Sequence, residues 1–255
     1  MTNATRQLDT TDLEARVKSM YEQVALDPHQ DFHFETGRPL AERLGYPVAG
    51  LDLIPAESID SFAGVGYFFD LAALAAGETV LDLGSGSGMD SFLAALAVGP
   101  TGRVIGVDMT RAQLDKSRRL ASENVEFRQG YIEELPVDAG FVDCVISNGV
   151  INLATDKHRV FAAAARALRP SGRLAIADIV TAVQLPEGVT CDAALWAACI
   201  GGAMQSDRYR EAIEAAGFRV DTVRENTAYR FVSDRATDAT TKYGVTSISL
   251  LAHRT

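Results

Sequence analysis

Residues Val80–Asp90 read Val-Leu-Asp-Leu-Gly-Ser-Gly-Ser-Gly-Met-Asp, and this stretch decides the fold. An aliphatic run enters it, three glycines follow at alternate positions, and an alanine-rich helical pattern leaves it. Glycine accepts positive φ and lets a ligand lie against bare backbone. The stretch therefore predicts a strand, a tight turn and a helix that together bind a nucleotide-like ligand.

A carboxylate two residues before the first glycine narrows the choice of ligand. The dinucleotide fingerprint has the spacing G-x-G-x-x-G and receives a pyrophosphate, whereas this turn reads G-x-G-x-G and is preceded by Asp82. A carboxylate repels a phosphate and attracts an ammonium. We therefore expect S-adenosylmethionine, which carries an amino group, a sulfonium and a ribose but no phosphate. The predicted cofactor-binding residues of this turn are Asp82, Gly84, Ser85, Gly86 and Gly88.

The strand ends that follow supply further candidates. The pattern Arg103–Val107 ends at Asp108, about 20 positions beyond the glycine turn, where a βαβ nucleotide site binds ribose hydroxyls. Ligands bind at the carboxyl ends of strands in open α/β sheets. We therefore expect the cofactor also to contact Met109, Ile132, Glu133 and Asn148, with Ile132 and Glu133 beside the adenine and Asn148 near the methyl group.

Alternating strand and helix patterns predict an α/β fold with a mostly parallel, doubly wound, Rossmann-like sheet. Strands are expected at 79–83, 104–107, 125–128, 141–147 and 173–180, with a break at Pro170–Gly172 before the last of these. Residues 1–75 are predicted to form a helical N-terminal extension or cap, and residues 76–255 the cofactor-binding domain. A helical insertion near 186–205 carries two of the three cysteines and the only tryptophan.

Composition limits the partners. The net charge of −10 argues against nucleic acid or an anionic membrane, since both require basic surfaces. No signal-peptide pattern is evident, and the three cysteines lack C-x-x-C spacing, which favours a reduced, cytoplasmic protein. His29, His33 and Glu35 lack the spacing of a zinc-binding helix, so no metal is expected. The expected partner is a small-molecule acceptor, and the oligomeric state stays open.

Beyond the cofactor motifs, Val80–Leu153 resembles the arsenite methyltransferases, which are class I S-adenosylmethionine-dependent methyltransferases. The resemblance extends through Asp156-Lys157 and Cys199–Met204. It implies methyl transfer to trivalent arsenic held by thiolates, a pairing that suits a soft element. By this resemblance the family's thiols correspond to Val65, Gly149 and Cys199 here, so two are missing.

The chain is thus similar to a divergent member of that family, with Cys199 as its one predicted catalytic thiol and Cys191 as a candidate second ligand. A first alternative is methyl transfer to carbon, nitrogen or oxygen of a small organic metabolite. Its pocket would use the aromatics at 67–69, Trp196 and the stretch 29–35, with a base among His29, His33 and Glu35. A second alternative is a non-catalytic S-adenosylmethionine-binding protein. The glycine spacing disfavours an NAD-dependent oxidoreductase.

Overall fold

The computed structural model describes residues 9–190, 196 and 200–255, and a twisted sheet lies at its centre. Its strands follow the spatial order β3-β2-β1-β4-β5-β8-β7, and a short β6 pairs with β5 beside this path. The bounds are β1 Thr79–Leu83, β2 Arg103–Asp108, β3 Val125–Gln129, β4 Val142–Asn148, β5 Leu168–Thr181, β6 Met204–Gln205, β7 Phe218–Glu225 and β8 Thr246–Arg254.

The helices lie before and between these strands. Five precede the sheet: α1 Thr10–Leu26, α2 Gly37–Leu44, α3 Val48–Leu51, α4 Ala56–Asp60 and α5 Phe69–Ala72. The others are α6 Met89–Val98, α7 Arg111–Leu120, α8 Lys157–Ala167, α9 Glu187–Thr190, α10 Ser206–Ala215 and α11 Asp234–Tyr243, with a 3₁₀ turn at Ile151–Leu153. None in the described part of the chain is both long and apolar enough to cross a bilayer.

The predicted mostly parallel, doubly wound architecture is confirmed. Strands β1 to β5 pair in parallel, and β8 runs antiparallel to both β5 and β7. Successive residues of β1 point to opposite faces, so Val80 joins one core cluster and Leu81 the other. Both faces of the sheet are covered, so β1 and β4 are buried along nearly their whole length. The strand order reverses between β1 and β4, where ligands bind in such sheets.

One strand differs from the expectations. Strand β5 begins at Leu168, because Leu168 pairs with Val142 across a register shift and the expected break is absorbed inside the strand, with Ser171 at φ +63°. The expected insertion near 186–205 is described only at α9, Trp196 and from residue 200 onward, so Cys191 and Cys199 lie outside the described residues.

Candidate functional site

A cavity of about 360 Å³ opens at the carboxyl ends of β1 and β4, where the strand order reverses. It contains side chains or backbone from the strand ends, the glycine turn, α1 and the segment before β1. All ten residues that the sequence singled out for the cofactor line it: Asp82, Gly84, Ser85, Gly86, Gly88, Asp108, Met109, Ile132, Glu133 and Asn148. A small-molecule site typically has this volume.

The glycine turn needs its glycines for packing as well as for conformation. Gly84, Gly86 and Gly88 all have positive φ, between +51° and +95°. A Cβ on Gly84 would lie 2.4 Å from a methyl of Val150, and one on Gly88 would lie 2.7 Å from the ring of Phe127. The protein itself therefore presses on the turn at these two positions. At Gly86 the nearest described atom would be 3.7 Å away, so the middle of the turn is the part left open.

Asp108 holds this turn in place. One of its oxygens accepts a hydrogen bond from the Gly86 N–H at 2.9 Å, and the other accepts from the Thr110 N–H at 2.7 Å. The same carboxylate lines the cavity, so it can also accept hydroxyl donors from a ligand. Beside it, the Ser85 Oγ is buried and has no hydrogen-bond partner within the described part of the chain. A buried hydroxyl without a partner is costly and indicates a position where a ligand binds.

The cavity is lined by a concentration of acidic groups. Burial, together with the neighbouring charge of Asp90, raises the pKa of Asp82 to about 8. Burial likewise raises the pKa of Asp90 to about 6, against hydrogen bonds from Tyr46 and Asn148. It also raises the pKa of both Asp108 and Glu133. None of the described lining residues is Lys, Arg or His, so the cavity favours a cation.

Helix α1 forms one wall of this cavity, a role that the sequence did not predict. Leu13, Val17 and Tyr21 line it from this helix. The side chain of Glu14 accepts a hydrogen bond from the Tyr131 hydroxyl at 2.7 Å, which links the helix to the loop after β3. Leu13 and Val17 recur in the sequence at helical spacing, but such a pattern does not identify what the apolar face of a helix covers.

Asn148 connects three parts of the site. Its side-chain oxygen accepts from the backbone N–H groups of Val65 at 2.7 Å and Gly66 at 3.3 Å. Its amide group donates to the Tyr46 hydroxyl, the Gly66 carbonyl and Asp90 Oδ2, at 2.9 to 3.0 Å. Asn148 therefore binds the segment before β1 to the end of β4. Its hydrogen-bonding groups are occupied by the protein, so it positions neighbours within the cavity wall.

We expect Asn148→Ala to lower the free energy of unfolding by about 2–4 kcal/mol, because the buried partners of this side chain lose their hydrogen bonds. Chemical denaturation measures the change. Asn124→Ala is the matched control, since Asn124 donates only to the carbonyls of Ala95 and Gly99 and should cost about 1 kcal/mol. Equal losses in the two variants would contradict this role for Asn148.

The residues proposed for an organic-acceptor pocket lie elsewhere. Among the described residues that line the cavity, none comes from 29–35 or 67–69. Glu35 forms an ion pair with Arg43 instead. Phe68 is fully buried in the core, and Tyr67 packs edge-on against Tyr46. The expectation that these aromatic and titratable side chains supply the pocket or its base is therefore wrong for this cavity. Within the described residues, no group of three or more metal-ligating side chains could hold an ion.

The two positions that the resemblance matched to missing thiols are neighbours in space. Val65 is buried, at 1% exposure, and a Cβ built on Gly149 would lie 3.1 Å from its Cγ1 methyl. Gly149 itself has φ +71° and follows directly after Asn148. A valine methyl group beside a glycine backbone thus stands at the positions matched to the two thiols. The predicted catalytic Cys199 lies outside the described residues, while Cys144 is buried inside β4 and burial raises the pKa of its thiol to about 12.

The sheet order and the acidic cavity at its reversal point together define a class I methyltransferase domain. A family profile described as a methyltransferase domain matches residues 74–217. The arsenite methyltransferase of Halobacterium salinarum is 44% identical over 205 residues, 78% of this chain. The crystal structure of CrArsM, an arsenic(III) S-adenosylmethionine methyltransferase from Chlamydomonas reinhardtii, matches with TM-score 0.68 and 31% identity, covering 80% of this chain and 71% of that one.

The chain therefore belongs to the arsenite methyltransferase family, whose methyl donor is S-adenosylmethionine. It spans 52% of the length of the Halobacterium protein. A more distant relative is the ubiquinone/menaquinone biosynthesis C-methyltransferase UbiE of Escherichia coli, 28% identical over 198 residues, or 74% of this chain and 77% of that protein. The family thus has relatives whose acceptors differ in kind.

Proposed function

We propose that this chain transfers the methyl group of S-adenosylmethionine to a small, neutral acceptor, and that a trivalent arsenical is the first candidate. The observation that carries the proposal is the cavity whose described lining holds Asp82, Asp90, Asp108 and Glu133 but no basic side chain. Such a cavity suits a ligand that is cationic at its sulfonium and ammonium groups, and it disfavours an anionic acceptor.

The residues present fit the cofactor. Asp82 and the open middle of the glycine turn would hold the amino acid end, and the unpartnered Ser85 hydroxyl offers a donor or acceptor beside it. Asp108 would accept the ribose hydroxyls, with Met109, Ile132 and Glu133 around the adenine. When bound, the cofactor supplies an electrophilic methyl group on a positively charged sulfur.

The chain's own contribution to the chemistry is positioning and exclusion of water. Leu13 and Val17 of α1 and Phe62 of the segment before β1 form apolar walls around the acidic floor. Methyl transfer is an in-line displacement, and holding both reactants in line supplies much of the rate. An acceptor atom with a free lone pair, such as trivalent arsenic, requires no base. This agrees with a described cavity lining that contains no histidine or lysine.

The contact between Val65 and Gly149 decides how an arsenical would be held. The family's thiols at these positions, carried over by resemblance, are replaced here by a packed methyl and a bare backbone. Of the three cysteines in the sequence, Cys144 is buried inside β4, which leaves Cys191 and Cys199 as the candidate protein thiols. We therefore infer that arsenite is carried with an external thiol such as glutathione, or that the acceptor is an already methylated arsenical, which needs fewer thiolate ligands.

A second candidate is methyl transfer to an atom of a small organic molecule. The absence of thiols at positions 65 and 149 favours it, because valine and glycine offer no soft ligand to trivalent arsenic. The similarity to UbiE agrees with a carbon acceptor. In both versions the acidic lining and the net charge of −10 disfavour nucleic acid, and chemistry with free thiols suits a reducing cytoplasm.

The test is one incubation of purified protein with S-adenosylmethionine, arsenite and glutathione, followed by arsenic-selective mass spectrometry. We expect slow formation of methylarsenicals that disappears in Cys199→Ala and persists in Cys144→Ala, since the Cys144 thiol is buried and stays protonated. The double variant Val65→Cys/Gly149→Cys restores two thiols and should raise the rate by at least about tenfold, because misplacement by about 1 Å can cost about 100-fold.

The outcomes separate the candidates. Cofactor binding without methylarsenicals in the wild-type protein and in the double variant would reject the arsenical acceptor and direct the search to organic acceptors. Binding of S-adenosylmethionine with no transfer to either class of acceptor would indicate a binding protein. No binding at all would reject the proposed function.

A further inference from the structure

Lys157 is a buried lysine that does not line the cofactor cavity. It begins α8 and is 4% exposed. Its ammonium donates to the carbonyl of Asn152 at 3.2 Å and to that of Ala154 at 2.9 Å. Burial of a lysine charge is costly unless polar partners compensate it. A buried lysine with two carbonyl partners indicates that its ammonium holds the backbone of those partners in place.

The backbone of Asn152 makes hydrogen bonds to two buried charged side chains. Its N–H donates to Asp178 Oδ1 at 3.3 Å, while its carbonyl receives the Lys157 ammonium. Asp178 is itself buried and accepts a hydrogen bond from the Tyr209 hydroxyl at 2.6 Å. The backbone of one residue thus links a buried carboxylate to a buried ammonium. Asn152 belongs to the 3₁₀ turn after β4, and Val150, Leu153 and Ala154, in or beside that turn, line the cavity.

The tryptophan at position 196 completes the arrangement. Lys157 Nζ lies 5.2 Å from the centre of its ring, and its indole N–H donates to the Thr190 carbonyl at 2.6 Å. The ring packs in one apolar cluster with Leu13 and Val17, which line the cavity from α1. Gly202 packs against the 3₁₀ turn at Asn152, since a Cβ on Gly202 would lie 2.0 Å from the Asn152 carbonyl oxygen.

We infer that Lys157 is a positioning residue, whose ammonium holds the Asn152 carbonyl and the Trp196 ring so that the cavity wall, α1 and the Trp196 side chain keep one relative arrangement around the bound cofactor. This inference rests on the proposed function. It adds that cofactor binding and the packing of the Trp196 ring are coupled, since Leu13 and Val17 line the cavity and also pack with this ring.

The groups that face the ammonium are acidic or aromatic. Asp178 faces it from β5, Glu133 from the loop after β3, and Asp156 from the N-cap of its own helix, while Trp196 covers it. Burial is the larger effect and lowers the pKa of Lys157 to about 8. The ammonium therefore carries its charge at pH 7 and loses it as the pH rises through about 8. Loss of the charge weakens the hydrogen bonds to the two carbonyls and removes the cation–π attraction to the indole.

The sole tryptophan of the chain makes this measurable. We would record the emission maximum of Trp196 and its quenching by acrylamide from pH 6.5 to 9.5, with and without S-adenosylhomocysteine. For the wild-type protein we expect a transition centred near pH 8 and less quenching when S-adenosylhomocysteine is bound. Lys157→Met should lose the transition and show more quenching at every pH.

Two further variants make the test specific. Lys157→Arg should keep the low quenching but show no transition, because a guanidinium stays charged throughout this range. Lys242→Met is the matched control: Lys242 lies 5.2 Å from the ring of Tyr243 but is exposed, so this variant should behave as wild type. If Lys157→Met does not fold, Lys157→Arg alone decides, with the fold checked by circular dichroism.

A transition near pH 8 that survives in Lys157→Met or Lys157→Arg would belong to another group and would overturn the inference. So would quenching in Lys157→Met that responds to S-adenosylhomocysteine as the wild type does. Calorimetry with S-adenosylhomocysteine keeps the two proposals apart. Absence of binding to wild type rejects the proposed function, whereas the pH transition still decides the role of Lys157.

Discussion

Replacing Asp108 by alanine is expected to lower the affinity for S-adenosylmethionine by about 100-fold. Hydrogen bonds to a charged group contribute about 1.5–3 kcal/mol each, and 1.4 kcal/mol corresponds to about tenfold in affinity. The variant loses the acceptor that we propose for the ribose hydroxyls. It also leaves the Gly86 and Thr110 N–H groups without their partner, so the turn that should meet the amino acid end loosens at the same time. Titration calorimetry measures the change.

The matched control is Asp115→Ala, which removes a carboxylate from α7, where it forms only an exposed ion pair with Arg111 at 3.7 Å. It should leave the affinity unchanged, because such pairs contribute little. Asp108→Asn should fall between the two, since its amide keeps one acceptor oxygen. If Asp108→Ala binds S-adenosylmethionine within about threefold of the wild-type affinity, Asp108 does not bind the ribose.

The second large effect is expected at Asp82 and depends on pH. Its carboxyl group, with a pKa of about 8, is mostly protonated at neutral pH in the free protein. An ammonium or sulfonium beside it favours the carboxylate, so binding releases a proton. The affinity of the wild type should therefore increase by up to about tenfold per pH unit between about pH 6 and 7.5. Asp82→Asn should bind about 10–100-fold more weakly at pH 7.5 and lose this dependence.

Calorimetry in two buffers with different ionisation enthalpies counts the released proton directly. The range stops at about pH 7.5 because a free α-amino group itself titrates at about 7.7–8.0. Asp90 has a pKa of about 6, so we assign to it any pH dependence of the affinity that Asp82→Asn retains near pH 6. Equal pH dependence in the wild type and in Asp82→Asn would show that another group takes part in the binding.

For the free protein, we expect the Asp82 carboxyl group to make stability fall as the pH rises, which is opposite in sign to its effect on affinity. Its folded-state pKa is raised from 3.8 to about 8, so the folded state retains the proton and stability falls as the pH rises between these values. Asn carries no charge at any pH. The melting temperature of Asp82→Asn should therefore gain on that of the wild type from about pH 4 to 8, by about 2–4 °C for each kcal/mol.

Much of the cofactor site was predictable because its residues lie at fixed steps from one another along the chain. The glycine turn follows β1 directly, Asp108 ends the next strand, and parallel strands bring their carboxyl ends to one edge. All ten predicted residues accordingly line one cavity. The aromatics at 67–69 misled for a physical reason. Their composition fits a pocket as well as a core, and only packing shows that Phe68 is fully buried.

The class of fold, the methyl donor and the acidic character of the site all follow from the order of residues along the chain, since glycine conformation and carboxylate charge are local properties. The other features of the site depend on packing between distant parts of the chain. Asn148 meets Tyr46 across 102 positions, Val65 packs against Gly149, and α1 covers the cavity. No periodicity or motif encodes which distant residues meet, because packing of the whole sheet and its helices brings them together. Those contacts determine how an acceptor can be held.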